Sequence, residues 1–400
     1  MKKELLIIFL FLLQFLLGQN IPEIKVPYIK SDVKIDGVLE ETCWKNAREI
    51  TDFIITFASK KDIYGQKPKN KTVGYIFYDD DYLYIAVECY DEDAKNLRIW
   101  KMTERDKGWG DDCVEIFIDP GLSRKRTYQY IINAKGIVYD QKFDDGKNIV
   151  DWDSGFEYGV KVEKEKWVVE TKIPFAELEL REDMKAEWGF NITRFEPREW
   201  IVQSWAPVFG GNLQPDKFGI IKDIKVDYTR YKFILDLISW GNLYIGDDFV
   251  EYSIKNISKS PLNLIFEIYT DRLLNKKDIK LKPEETKNVS LDYSLEKKDG
   301  KLTILVKDEQ GKISYMRTKY FKIPESSINI KSEIPVYYLS DKNIIAELEI
   351  SIGRNSLKKS EIIFQICDII KGSVKNNRNK KRIGKKFGEN TNKDKGVERG

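Results

Sequence analysis

The 400-residue chain has no histidine. That single absence removes Ser-His-Asp and Cys-His nucleophilic catalysis, ordinary zinc catalysis and His-ligated haem. Carboxylate, lysine and tyrosine chemistry remain. Cysteine is scarce as well: Cys43, Cys89, Cys113 and Cys367 are the four, and no two have CxxC spacing. They form neither a disulfide framework nor a zinc site. Small buried side chains are the simpler reading, with a Cys89–Cys113 bridge between neighbouring strands as the alternative. Methionine is equally thin, and a haem would have to use Met102, Met184 or Met316, none of which sits in a recognisable pair. No apolar run reaches the ~20 residues that a membrane-spanning helix needs. The run Leu5–Leu17, broken by Gln14, follows Lys2 and Lys3 and precedes the small Gly18. Those are the elements of a secretory signal, so residues 1–19 are expected to be removed on export. No cysteine follows the run, so neither a lipid anchor nor a transmembrane span is expected.

What is abundant points to folded domains with charged surfaces. Aromatic residues make up 12% of the chain and charged residues 33%, far from the composition of a disordered chain. The formal charge of +3 is carried by the ends. Residues 371–400 hold eleven Lys/Arg against three Asp/Glu, so the remainder of the chain is net acidic. An acidic body argues against nucleic-acid binding. The basic tail, nearly free of apolar residues, reads as disordered. It is either solvated or a contact for acidic cell-surface components.

The chain between these ends is β-rich. The stretch Gly108–Pro120, GWGDDCVEIFIDP, sets the pattern. Val114, Ile116 and Ile118 fall on one face of a strand, and Glu115, Phe117 and Asp119 on the other. Trp109 precedes it, in a loop. Hairpins are expected for Val73–Tyr78 with Tyr82–Tyr90, for Tyr128–Asn133 with Ile137–Lys142, and for Phe156–Val162 with Trp167–Ile173. Leu39–Ala47 reads as a short helix whose apolar stripe carries Leu39, Cys43, Trp44 and Ala47. About ten short strands imply a β-sandwich over residues 20–227. A second set of strands over 228–325 implies an immunoglobulin-like sandwich, a spacer or docking module with no chemical motif. Residues 326–370 are a partial β-rich segment. The acidic turns Asp79-Asp80-Asp81 and Asp91-Glu92-Asp93 offer oxygen ligands suited to structural calcium, or are simply solvated. No other cofactor is implied.

The central stretch resembles the WxxDSVEIFID signature of family 9 carbohydrate-binding modules. Further pieces recur in that family's order: IDGVLEETCWKNA (Ile35–Ala47), YDDDYLYIAVECYD (Tyr78–Asp91), WVVETKIPF (Trp167–Phe175), WGFNITR (Trp188–Arg194), SWAP (Ser204–Pro207) and PDKFG (Pro215–Gly219). The resemblance spans Ile35–Gly219 and implies an all-β fold with a sugar site. In that family two tryptophans clamp the sugar, and polar strand residues hold its hydroxyl groups. Trp109 matches the first clamp, Glu115 a strand acceptor and Asn133 a sugar-contacting asparagine. The arginine expected two residues before that asparagine is Ile131. Where the second clamp is expected stand Asn212 and Leu213, with Phe209 nearby as a stacking substitute. Trp205 matches a strand position of the family, as scaffold or as clamp. Arg194, next along the NIT strand, is a candidate to replace the missing arginine.

Three functions are compatible with these residues. The first is a secreted, non-catalytic protein that binds a polysaccharide or oligosaccharide, of plant type (xylan) or another kind, in carbohydrate catabolism. It would stack the sugar on Trp109 and bond its hydroxyls through Glu115, Asn133 and Arg194. The second is a cell-surface scaffold that has lost sugar binding. The third is a glycoside hydrolase working with a carboxylate pair.

Overall fold

The computed structural model describes residues 21–323 and the backbone of four short later strands, Ile328–Ser332, Ala346–Ile350, Ile366–Asp368 and Ser373–Lys375. The expected signal peptide, nearly all of the basic tail and most of the 326–370 segment lie outside the described residues. Among the later strands, Ile328–Ser332 pairs antiparallel with Ala346–Ile350.

Fourteen strands and one short helix build the first sandwich. The strands are β1 (Glu23–Lys25), β2 (Arg48–Ile50), β3 (Ile54–Ala58), β4 (Thr72–Tyr78), β5 (Tyr82–Tyr90), β6 (Cys113–Asp119) and β7 (Arg126–Asn133). They continue with β8 (Val138–Asp144), β9 (Lys147–Ile149), β10 (Glu157–Val162), β11 (Lys166–Pro174), β12 (Trp188–Glu196), β13 (Ile201–Ser204) and β14 (Gly219–Lys222). One sheet runs β1-β14-β12-β6-β7-β8-β9, with β13 and β3 extending from β12; the other runs β10-β11-β5-β4-β2. The alternation read in β6 holds. Val114, Ile116 and Ile118 enter the core between the sheets with Tyr128, Tyr130, Ile132, Phe190 and Ile192, and meet Ile76, Ile85, Val87 and Val169 from the facing sheet. Each such side chain contributes about 1.5–3 kcal/mol when fully removed from water.

The helix α1 (Thr42–Asn46) is shorter than the apolar stripe suggested, because Glu41 ahead of it is extended and supplies no side-chain cap. The stripe still packs. Cys43 and Trp44 are buried against Phe77, Tyr84 and Ala86, on the side of the second sheet away from the main core. Glu170 on β11 fastens this corner, accepting hydrogen bonds from the Asp36 and Gly37 amides (2.9 and 2.8 Å) and from Trp44 Nε1 (3.0 Å). Gly37 is required there: its φ is +82°, and a Cβ would sit 2.7 Å from the Lys161 nitrogen. Cys43, Cys89 and Cys113 are buried free thiols.

Core membership changes between Tyr231 and Phe233. The second unit has strands β15 (Phe233–Ser239), β16 (Gly246–Asn256), β17 (Leu262–Tyr269), β18 (Leu273–Leu281), β19 (Thr286–Leu295), β20 (Asp299–Lys307) and β21 (Ile313–Lys322). They form the sheets β15-β16-β19 and β18-β17-β20-β21 around Val250, Tyr252, Phe266, Ile268, Leu291 and Ile304. Seven antiparallel strands in two sheets have the strand count of an immunoglobulin-like sandwich.

The two units touch through β21. Asp153 bridges Thr318, and the Tyr320 amide donates to Asp153 Oδ2 (2.9 Å). Lys319 reaches the Asp151 carbonyl (2.9 Å), and the Arg105 guanidinium lies 4.0 Å from the Tyr320 ring centroid. Two buried acids stand at this seam. Glu177 accepts from Ser154 Oγ (2.5 Å) and from the Gly155 amide, and Asp140 accepts from the Ser154 amide (3.1 Å) and from Arg105.

Candidate functional site

Outside the core, the β6 sheet presents its other face. Strand pairing sets the rows: Val202, Phe195 and Cys113 in one, and Thr193, Glu115, Ile131 and Tyr139 in the next. A third holds Asn191, Phe117, Gln129 and Gln141. The first row is apolar and covered by Met102. Phe117 is covered by Ala206, Val208 and Phe218 from the segment after β13. Between these covers runs a polar ladder. Tyr139 Oη donates to Gln141 Oε1 (3.3 Å), Gln141 Nε2 to Gln129 Oε1 (2.5 Å), and Gln129 Nε2 to Glu115 Oε2 (2.8 Å). From the other side Asn212 Nδ2 donates to Glu115 Oε1 (2.8 Å). Burial raises the Glu115 carboxyl above its ordinary value, against the lowering by the Asn212 and Gln129 hydrogen bonds.

The base of the Trp109 loop is pinned at one end of this face. Asp111 is fully buried and accepts from the amides of Trp100 (3.0 Å), Lys101 (2.7 Å) and Met102 (3.0 Å), and from Asn133 Nδ2 (3.0 Å). Gly108 lies so close to Lys101 that a Cβ would fall 2.3 Å from its carbonyl oxygen. At the tip Trp109 is 73% exposed, the most exposed of the large hydrophobic residues described. The hydrogen bonds at Asp111 thus fix the base of the loop, while the indole at its tip stands in water. Phe209 is half-buried and stacks on Tyr64, centroids 6.2 Å apart and planes 28° apart.

The six residues singled out in the sequence therefore separate. Trp109, Glu115 and Phe209 belong to the outer face or the loops beside it. Asn133 is fully buried, and its Oδ1 accepts from the Lys135 and Ile137 amides (3.0 and 2.8 Å), so it shapes the turn and anchors Asp111. Trp205 is buried in the core against Phe190 at 5.9 Å, with Gly219 pressed to its ring. It is scaffold.

Arg194 corrects the sequence reading. It pairs in register with the core residue Val114, so it points between the sheets. There it is fully buried, donates to the Tyr90 carbonyl (3.0 Å), and lies 3.5 Å from Glu196 and 3.7 Å from Asp91. It cannot replace the arginine missing at Ile131. Sequence reasoning missed Tyr139, Gln141, Gln129 and Asn212. The signal was available for some of them, since Gln129 shares the parity of Ile131 in YQYIIN.

Protein cations already serve the acidic turns considered for calcium. Lys30 meets Asp80 at 3.3 Å, Arg230 meets Asp81 at 2.7 Å, and Arg198 pairs with both Asp91 and Asp93. A different carboxylate group, Asp106, Asp140 and Asp153, gathers at the seam with oxygens within 4.8 Å of one another. Arg105 pairs with Asp106 and Asp140, and Lys319 with Asp153, so two cations already face it.

Fold and face together define a two-sheet β-sandwich with an aromatic loop beside a polar sheet surface. Residues 35–220 match the model of the family described as carbohydrate family 9 binding domain-like. This stretch resembles family 9 carbohydrate-binding modules across nearly the whole first sandwich. Among solved structures, the chain is similar to a family 9 module from Caldicellulosiruptor kristjanssonii in complex with glucose. That match has 21% identity, covers 51% of this chain and 97% of that chain, and has a TM-score of 0.35. A cellotriose complex from the same organism matches with 22% identity, 51% and 95% coverage and a TM-score of 0.35. A search of the curated proteins found no match. Among the described residues, no helix is long and apolar enough to cross a membrane.

Proposed function

We propose that the first sandwich is a non-catalytic carbohydrate-binding module of an exported protein. The observation that carries this reading is the indole of Trp109, exposed at the tip of a loop that leads into β6, the strand that bears Glu115. A pyranose stacks its C–H face on indole and directs its hydroxyls to acceptors and amides such as those of Glu115, Gln129, Gln141 and Asn212. The family match over 35–220 supports the same reading. Neutral glucans and xylans, whose pyranose rings present such a C–H face, are the natural first ligands to try. Catalysis by a carboxylate pair is disfavoured: apart from Asp119, which clamps the Ser123 and Arg124 amides, the outer-facing positions of β6, β7, β8 and β12 carry one carboxylate, Glu115.

The test is calorimetric titration of the full chain with xylo- and cello-oligosaccharides, beside Trp109→Ala. The wild type is expected to give saturable heat. Losing an aromatic platform worth about 1.5–3 kcal/mol weakens binding at least tenfold, by roughly one affinity decade per 1.4 kcal/mol. A folded wild type that gives no heat with any sugar favours the scaffold reading, for which Ile131 and the lack of a second tryptophan at 209–213 are the supporting departures. Reducing ends appearing during titration would establish hydrolysis instead.

A further inference from the structure

The buried carboxylates among the described residues share a property that half-buried Glu115 lacks. Each buried Asp and Glu among the described residues has either a cation within 4 Å or a backbone amide as donor. Glu88 has Lys166 at 2.6 Å, Glu267 has Lys307 at 2.5 Å, and Asp153 has Lys319 at 3.2 Å. Asp111, Asp119 and Glu170 hold two or more amides each. Each of these acids has a cation or an amide of the protein beside it.

Glu115 is half-buried and lies in the middle of an outer sheet face, yet among the described residues its only partners are the side-chain amides of Asn212 and Gln129. Among the described residues no lysine or arginine lies within salt-bridge distance, and no charged group is among the influences on its carboxyl. Its neighbour across the sheet is the uncharged Ile131, and Arg194 on the adjacent strand is turned into the core. A desolvated carboxylate without a counter-charge attracts a cation from outside more strongly than an exposed one, and it repels an anion. The exposed ring of Trp109 adds a surface that also favours cations.

We propose, resting on the sugar-binding reading above, that this face selects glycans bearing free ammonium groups, that is, glucosamine units without N-acetylation. It ranks neutral sugars below these and uronic acids last. The positive charge that the protein omits is supplied by the ligand.

The experiment compares glucosamine oligomers with cello-oligomers of equal length, which share a backbone linkage and differ at one substituent. Both are titrated into the full chain below the pKa of the amine and again above it, with oligogalacturonate as the anionic control. The expected result is roughly tenfold tighter binding of the glucosamine oligomer when its amine is charged, a gain typical of a partly desolvated charge pair. That gain shrinks with salt and vanishes once the amine is neutral. Glu115→Gln, checked for folding by its melting curve, is expected to bring the ratio of the two affinities to about one. Equal wild-type affinities for the charged and neutral oligomers, or an advantage that persists in Glu115→Gln, overturn charge selection while leaving sugar binding intact. Absence of binding to every oligomer overturns the sugar-binding reading and this proposal with it.

Discussion

Arg194→Met is expected to destabilise the protein by about 3–5 kcal/mol, the usual effect of removing one partner from a buried charge network. The guanidinium has no exposed surface, and Asp91 and Glu196 lie within 3.7 and 3.5 Å of it. It also donates to two carbonyls of the facing sheet, Lys71 (3.4 Å) and Tyr90 (3.0 Å). Methionine fills much of the volume but returns none of these bonds. Glu196 would keep only neutral donors, Asn70 and Gln203, while Asp91 would keep Arg198. Urea denaturation should show a lower midpoint at an unchanged slope. Sugar affinity, measured well below that midpoint, should not move. A loss of affinity in a fully folded variant would instead mean that Arg194 reaches the ligand, against its position between the sheets.

Stability is also expected to fall as pH rises from acid to mildly alkaline values, through the acids buried at the seam. Burial pushes Glu177 up to about 7 and Asp140 up to about 8, each opposed by hydrogen bonds or a nearby arginine. A carboxyl with a raised pKa binds its proton more tightly when folded than when unfolded. Its contribution is therefore greatest below the ordinary carboxylate value and is lost as pH climbs to the raised one. For Glu177 the window runs from 4.5 to about 7, and for Asp140 from 3.8 to about 8. Glu177→Gln keeps the shape and cannot ionise. Its melting temperature should match the wild type in acid and exceed it above neutral pH, by the equivalent of about 3 kcal/mol. A gap that is the same at all pH values would show that the glutamate stays neutral, or that the seam opens without consequence for unfolding.

Both residues mark how far the sequence can be read. The strands are legible because period-two alternation is local: one look at CVEIFID separates core from outer face. The same alternation places Arg194 inward, since Trp188, Phe190 and Ile192 of the same strand are core residues at even spacing. The expectation that a charge faces water overrides it. Asn133 reads as a sugar contact by resemblance, although it stands just before the turn at Gly136, where a short carboxamide commonly caps backbone amides. The Glu115 ladder is half legible, because Gln129 interrupts apolar neighbours. Asn212, however, comes from a loop 97 residues away in sequence, and no local rule brings it there. The seam is not legible at all. Its acids are scattered through the first sandwich, and nothing in their own stretches announces the strand β21 that covers them.

The pairing of β1 with β14 has a mechanical consequence. The strands run parallel, Glu23 opposite Ile220 and Lys25 opposite Lys222, although they stand at opposite ends of the first sandwich in sequence. The first and last strands of this unit thus share one edge, and the edge is a lap joint. Tension that draws residue 21 and residue 223 apart would slide the two strands past each other. Bonds loaded in that direction give way together, whereas those of a hairpin pulled at its open end break in succession. A load carried between those two strand ends therefore meets this edge at its most resistant geometry.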